Sequence, residues 1–176
     1  MTVEHPALEA WPVAVRAAER LRGTLVRCGP GLRPVGRPEV PSLRLAALEP
    51  WPGPAYVAVH LTAAWVWGAA RGPGETLQLS TAGGRRAGDR AGAGVSVHEF
   101  RCDPAEVVRF GRRSVTSPLR TVYDLLRLGR RFDAEARVAC RLLLNASPDA
   151  REGVRARLDA TRDPRRRLAI SRLRSL

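Results

Sequence analysis

The chain has no lysine, so all thirty of its basic residues are arginine, set against seventeen acids for a net charge of +13. Lysine-free, Ala/Arg/Gly/Pro-rich usage follows GC-rich codon supply, which accounts for part of the arginine. The remaining excess attracts polyanions, nucleic acid first, with an acidic protein or a membrane surface as weaker alternatives. Cysteine is scarce: Cys28, Cys102 and Cys140 stand far apart, with no C-x-x-C and no histidine at ligand spacing. A disulfide framework and a zinc site are both excluded on that spacing, and the three read as isolated small hydrophobes. The longest apolar stretch, 55–70, is broken by His60 and Thr62 and is too short to cross a bilayer. The start of the chain, with Glu4, His5 and Glu9, lacks the basic residues and apolar core of a signal peptide, so a cytoplasmic protein without membrane contact is expected. No G-x-S-x-G elbow, phosphate-binding Walker loop, H-E-x-x-H or dinucleotide fingerprint occurs. Neither a catalytic residue, a metal site nor a cofactor is expected.

What is present suffices for a packed protein, since 44% of 176 residues are apolar. Residues 13–22 read as a short helix entered through Pro12 and stopped at Gly23, with Ala14, Ala17, Ala18 and Leu21 on one side and Arg16, Arg20 and Arg22 on the other. Residues 24–28 and 32–35 flank Gly29-Pro30-Gly31, a hairpin signal. Helix followed by basic hairpin is the second half of a winged helix. Five prolines between Val35 and Pro54 mark a linker around one helical piece at 42–48. Strands follow at 56–59, 76–80 and 94–100, with a short helix at 63–67 capped by Thr62 and ended at Gly68. Asp103 to Glu106 has the spacing of a capped turn, and a second hairpin turns at Gly111-Arg112. Ser117, Asp133, Ser147 and Asp163 open four helices running to the end of the chain. The expected fold is α+β: a partial winged-helix remnant at 1–36, a linker at 37–54, and a mixed domain of short strands and helices at 55–176 with a helical C-terminus.

Three groups invite a functional reading, and each has a plainer alternative. His60 stands where a strand hands over to a helix; its expected role is a bond to nearby backbone. Arg120 and Asp124 are one helical turn apart and are expected to form a structural ion pair, because no nucleophile or second carboxylate is near in sequence. Trp65 and Trp67 could stack on bases, but packing is the expected fate of both. The arginine clusters remain: Arg16, Arg20, Arg22, Arg27 and Arg33 near the start, Arg85 and Arg86 in a glycine-rich loop, Arg112 and Arg113 in the second hairpin, and Arg165, Arg166, Arg167, Arg172 and Arg174 at the end.

The order of signatures resembles a family. The string from Val59 to Gly68, VHLTAAWVWG, resembles the "SH-x-SAA-x-LHG" segment of the AbiEi-like antitoxins, actinobacterial transcriptional regulators of type IV toxin–antitoxin systems. Leu77 to Ser80 with Arg85-Arg86, and Val95 to His98, are similar to the strands that follow it. Val115 to Leu125, VTSPLRTVYDL, matches the "VTSPxRTxxDL" element almost letter for letter, with Trp67 standing where the family has histidine. The resemblance covers roughly residues 55–145. It implies an antitoxin-type, non-enzymatic DNA-binding regulator whose recognition helix and wing are residues 13–35, with Gly29-Pro30-Gly31 at the wing tip. Its candidate DNA-binding residues are Arg16, Arg20, Arg22, Arg27, Arg33, Arg85, Arg86, Arg165, Arg166 and Arg167. The alternative expectation is a partner-binding module that neutralises a nucleotidyltransferase toxin, or binds a paralogue, without reading DNA.

Overall fold

The computed structural model describes residues 8–81, 93–100, 102–129 and 132–176. They form an α+β fold. Helix α1 (Val13–Leu21) leads into an antiparallel hairpin of β1 (Leu25–Cys28) and β2 (Gly31–Pro34). Helix α2 (Pro41–Ala46) precedes a mixed five-stranded sheet of order β5-β4-β3-β7-β6. Its strands are β3 (Tyr56–Ala58), β4 (Leu77–Thr81), β5 (Val95–His98), β6 (Val107–Phe110) and β7 (Arg113–Thr116). Central β3 pairs antiparallel with β4 and parallel with β7. Helix α3 (His60–Val66) follows β3, and α4 (Pro118–Leu126), α5 (Ala134–Asn145), α6 (Ala150–Ala160) and α7 (Arg166–Arg174) complete the chain.

Two apolar cores share α3. On the sheet side, Ala63, Trp65 and Val66 pack with Leu79, Val115 and the α2 region; on the helix side, Ala64 joins Val122, Leu125, Leu126, Leu143, Val154, Leu158 and Leu173. Leu43, Leu45, Ala47 and Leu48, within the stretch read as a linker, are buried in the sheet-side core together with Cys28 of the hairpin. The prolines therefore route the chain around a core-forming helix rather than spacing two units apart.

The hairpin turn also differs from a free wing tip. Gly29 has φ +55°, and a Cβ there would lie 2.6 Å from the Trp65 ring, while one on Gly31 would lie 2.3 Å from the Ala47 carbonyl. Only glycine permits so close an approach. The tip is thus seated on the body of the protein. Trp65 receives it on one face and holds the Arg44 guanidinium 5.4 Å from its ring centre.

Local capping follows the sequence at some positions and not at others. Ser117 Oγ accepts from the Arg120 amide and Asp133 Oδ1 from the Ala136 amide, as their spacing requires. Thr62 does not cap α3: its Oγ1 donates to the Pro73 carbonyl at 2.6 Å and accepts from the Gln78 amide at 2.8 Å, pinning the connection into β4. The helix instead starts three residues before the expected position, at His60, which has φ +49°. Gly68, at φ +80°, ends α3 with its amide on the Trp65 carbonyl and the Ala69 amide on that of Ala64. Helix α6 begins past Ser147, with Asp149 at its N-cap, and α7 past Asp163, with Arg165 at its N-cap. Asp163 accepts from the Arg165 amide in the preceding turn.

Candidate nucleic-acid interface

Arginine in this protein does two physically different jobs. One set turns inward onto the C-terminal carbonyls of helices, where the last turn leaves acceptors unmatched and the helix dipole favours a cation. Arg113 Nη1 donates to Leu45, Ala46 and Leu48 at 3.0, 2.8 and 2.8 Å, closing the end of α2, with its guanidinium over Trp51. Arg44 donates to the Trp65 carbonyl at the end of α3. Arg172 closes α4 by donating to Leu126, Leu128 and Gly129, and Arg151 closes α7 at Leu173. A planar fork of several donors can bridge two or three diverging carbonyls, and in a chain without lysine it serves as the helix-end staple.

A second inward group is an ion-pair network around Tyr123. Arg120 Nε donates to Asp124 at 2.7 Å and its Nη1 to Glu106 at 2.6 Å, with both Arg120 and Asp124 only 5% exposed. Arg157 also pairs with Glu106, at 3.0 Å through Nη2, and Arg127 bridges Asp124 and Asp163. The guanidiniums of Arg120, Arg127 and Arg157 surround the Tyr123 ring. Burial pushes the Asp124 carboxyl above the usual carboxylate range against the pull of Arg120, Arg127 and Arg157. Burial alone would lower Arg120, yet Asp124 and Glu106 outweigh it and keep the guanidinium charged. Arg120 and Asp124 thus form the structural pair their spacing implied, and Glu106, expected to complete a capped turn, is its third member. Beside it, the His60 and His98 rings meet edge to face at 4.5 Å, and Phe100 lies between His60 and the Arg120 guanidinium.

Asp163 makes the network pH-sensitive. Burial is the largest single influence and raises its carboxyl, but the bonds from Arg127 and the Arg165 amide and the charges of both arginines together outweigh it and hold the group below its ordinary value. A lowered folded-state pKa contributes stability that is fully present above the unfolded value of about 3.9 and is lost as pH falls through the folded one. Asp163→Asn should therefore lower the thermal midpoint by a constant amount above about pH 5. The difference should shrink as pH falls through the lowered folded-state value, which a series of melts from about pH 2 to 6 checks.

The candidate DNA contacts divide along the same line. Arg16 Nη1 is turned onto both Glu49 oxygens at 3.1 Å, and Arg33 donates to Glu39 and to the carbonyls of Pro34, Val35 and Arg37. Arg166 pairs with Asp159. Arg22 is exposed but bonded to Glu19 at 2.6 Å. Arg20, Arg27, Arg165 and Arg167 are exposed with no acidic partner among the described residues. Arg85 and Arg86 lie outside the described residues. The first five sit along α1, its C-cap and the hairpin, and Arg165–Arg167 at the start of α7, which packs on α4 and α6. Sequence reasoning missed Arg37 and Arg109, and with them Arg71, Arg137, Arg141 and Arg162, all exposed and without an acid among the described residues. It also left Arg174 out of the contact set. Arg167 and Arg174, two helical turns apart, border a shallow groove of about 460 Å³ lined by Ile170, Ser171 and Ser175.

Trp65 and Trp67 are packing anchors rather than stacking platforms: Trp65 lies under the hairpin tip, and Trp67 Nε1 donates to the Thr116 carbonyl at 2.8 Å. The three thiols are free and buried; burial raises Cys28 and Cys102 to about 11 and Cys140 to about 12. Among the described residues, no group of three or more His, Cys, Asp or Glu could hold a metal ion, and no helix is long and apolar enough to cross a membrane. No protein-family model, no curated protein and no solved structure matches the chain.

Proposed function

We propose that the protein is a non-enzymatic regulator of the AbiEi antitoxin type that works in the cytoplasm and binds DNA through phosphate contacts. The observation that supports this reading is the sorting of its arginines. After the acids have engaged Arg16, Arg22, Arg33, Arg44, Arg120, Arg127, Arg155, Arg157 and Arg166, a set of exposed guanidiniums is left without acidic partners among the described residues. Arg20, Arg27 and Arg37 belong to the helix–hairpin unit and its connection, with Arg22 beside them; Arg165, Arg167 and Arg174 belong to the C-terminal helix. Contacts of this kind position a duplex without reading its sequence.

Replacing Arg20, Arg22, Arg27 and Arg37 together by serine should weaken binding to a labelled duplex of about 20 base pairs. The loss should be equal for a promoter fragment and an unrelated sequence, and the salt slope should shrink by about one per contact removed. Anisotropy titrations at several salt concentrations read both. Retention of wild-type affinity by this variant and by the Arg165/Arg167/Arg174 triple serine variant would refute the proposal. The alternative, a partner-binding module for a nucleotidyltransferase toxin or a paralogue, is favoured by the outer face of α1.

A further inference from the structure

Helix α1 is held with its apolar side outward. None of its residues is buried, and Val13 and Leu21 are 73% and 85% exposed. Val13, Ala17 and Leu21 follow one another at four-residue spacing, with Ala14 alongside, so they form one stripe along the helix. All four are exposed, as are Trp11 just before the helix and Val35, whose amide bonds the Thr24 carbonyl just after it. The helix is tied down beside the stripe by Arg16 on Glu49, and at its C-terminal end by Glu19, which accepts from Arg22 and from Thr24 Oγ1 at 2.6 and 2.5 Å. An exposed apolar stripe on a helix anchored by polar contacts beside it is a candidate interaction surface.

Charge and size select the occupant. The stripe is flanked by Arg20, exposed and without an acid among the described residues, while Arg22 at the end of the helix already pairs with Glu19, the only acid on α1. A second copy would bring the same arginines and another +13 against it. A nine-residue helix is about 14 Å long, so its face falls far short of the roughly 800 Å² per partner that a standard protein–protein interface buries. A narrow apolar stripe with a basic rim is complementary to an amphipathic helix with an acidic rim. We propose that the outer face of α1 docks such a helix from a partner protein, its apolar ridge on Val13, Ala17 and Leu21 and its Asp or Glu flank beside Arg20. The proposal does not rest on nucleic-acid binding, and its test contains no DNA.

The probe is a labelled synthetic peptide of about five helical turns, with leucines at i, i+3, i+4 and i+7 repeats and glutamates flanking them, titrated against the full chain by anisotropy. A second peptide has the same composition shuffled to destroy the stripe, and a third has lysine for glutamate. The striped acidic peptide should bind at least about tenfold more tightly than either, and the Val13→Glu/Leu21→Glu variant should lose about tenfold or more of that affinity. Because both positions are exposed, the variant should keep the wild-type melting midpoint; Leu21→Ser, a milder change, should show the same loss in smaller measure. Equal binding of the shuffled peptide, or unchanged binding by the variants, would overturn the proposal. So would a wild-type chain that sediments as a dimer and becomes monomeric in the double variant, which would assign the face to a second copy.

Discussion

Asp124→Ala is expected to destabilise the protein by about 3 kcal/mol, the lower end of the cost of breaking a buried pair from one side. The substitution removes the acceptor of Arg120 Nε at 2.7 Å and leaves a guanidinium that is 5% exposed with Glu106 as its remaining carboxylate partner among those described. Glu106 is the reason for the lower end of the range, because it still neutralises part of the charge from the other side. Arg127 loses a neighbour as well, so the clamp it makes with Asp163 has less to hold it against Tyr123. Against a total of about 5–15 kcal/mol, this is a fifth or more of the stability of the fold. Urea unfolding of wild type and variant measures it through the midpoint, the slope being unchanged if the native state stays compact. The double variant Arg120→Leu/Asp124→Leu separates the pair from the packing: with neither charge present it should recover most of the loss. A single variant within about 0.5 kcal/mol of wild type, the usual range for a surface change, would show that Arg120 has a way out to solvent.

The elements were largely legible because short-range chemistry makes them. Gly29-Pro30 between two short apolar runs turns a hairpin, and Ser117-Pro118 opens α4 with a side-chain cap and a proline whose missing amide costs nothing there. The alternation of Leu77 and Leu79 gives a strand whose apolar residues are buried. The failures are contacts between residues far apart in sequence. Thr62 has the right neighbours for a cap, but Pro73 and Gln78 compete for its hydroxyl and win. The prolines of 37–54 suggest a linker, yet Leu43, Leu45 and Leu48 are buried because the sheet-side core lies against them.

The candidate interface was legible only as composition. Nothing local distinguishes Arg16, tied to Glu49 thirty-three positions away, from Arg20, which meets no acid among the described residues. Likewise, Arg113 and Arg172 sit in clusters that read as surface charge, while the structure uses both to close helix ends. Which side of α1 faces the body is decided by that same Arg16–Glu49 bond, so the exposure of Val13 and Leu21 could not be read from helical periodicity, which gives the stripe but not its direction.

The salt dependence of DNA binding is the most direct test of the central claim, that the exposed arginines form a phosphate-binding surface. The helix–hairpin contacts alone, from Arg20, Arg22, Arg27 and Arg37, set a minimum slope of about −3.6 in log affinity against log salt, to which Arg165, Arg167 and Arg174 add. Between 50 and 200 mM salt the affinity for a short duplex should then fall by at least about 150-fold. A flat dependence, or no binding to any duplex at the lowest salt, would contradict the account.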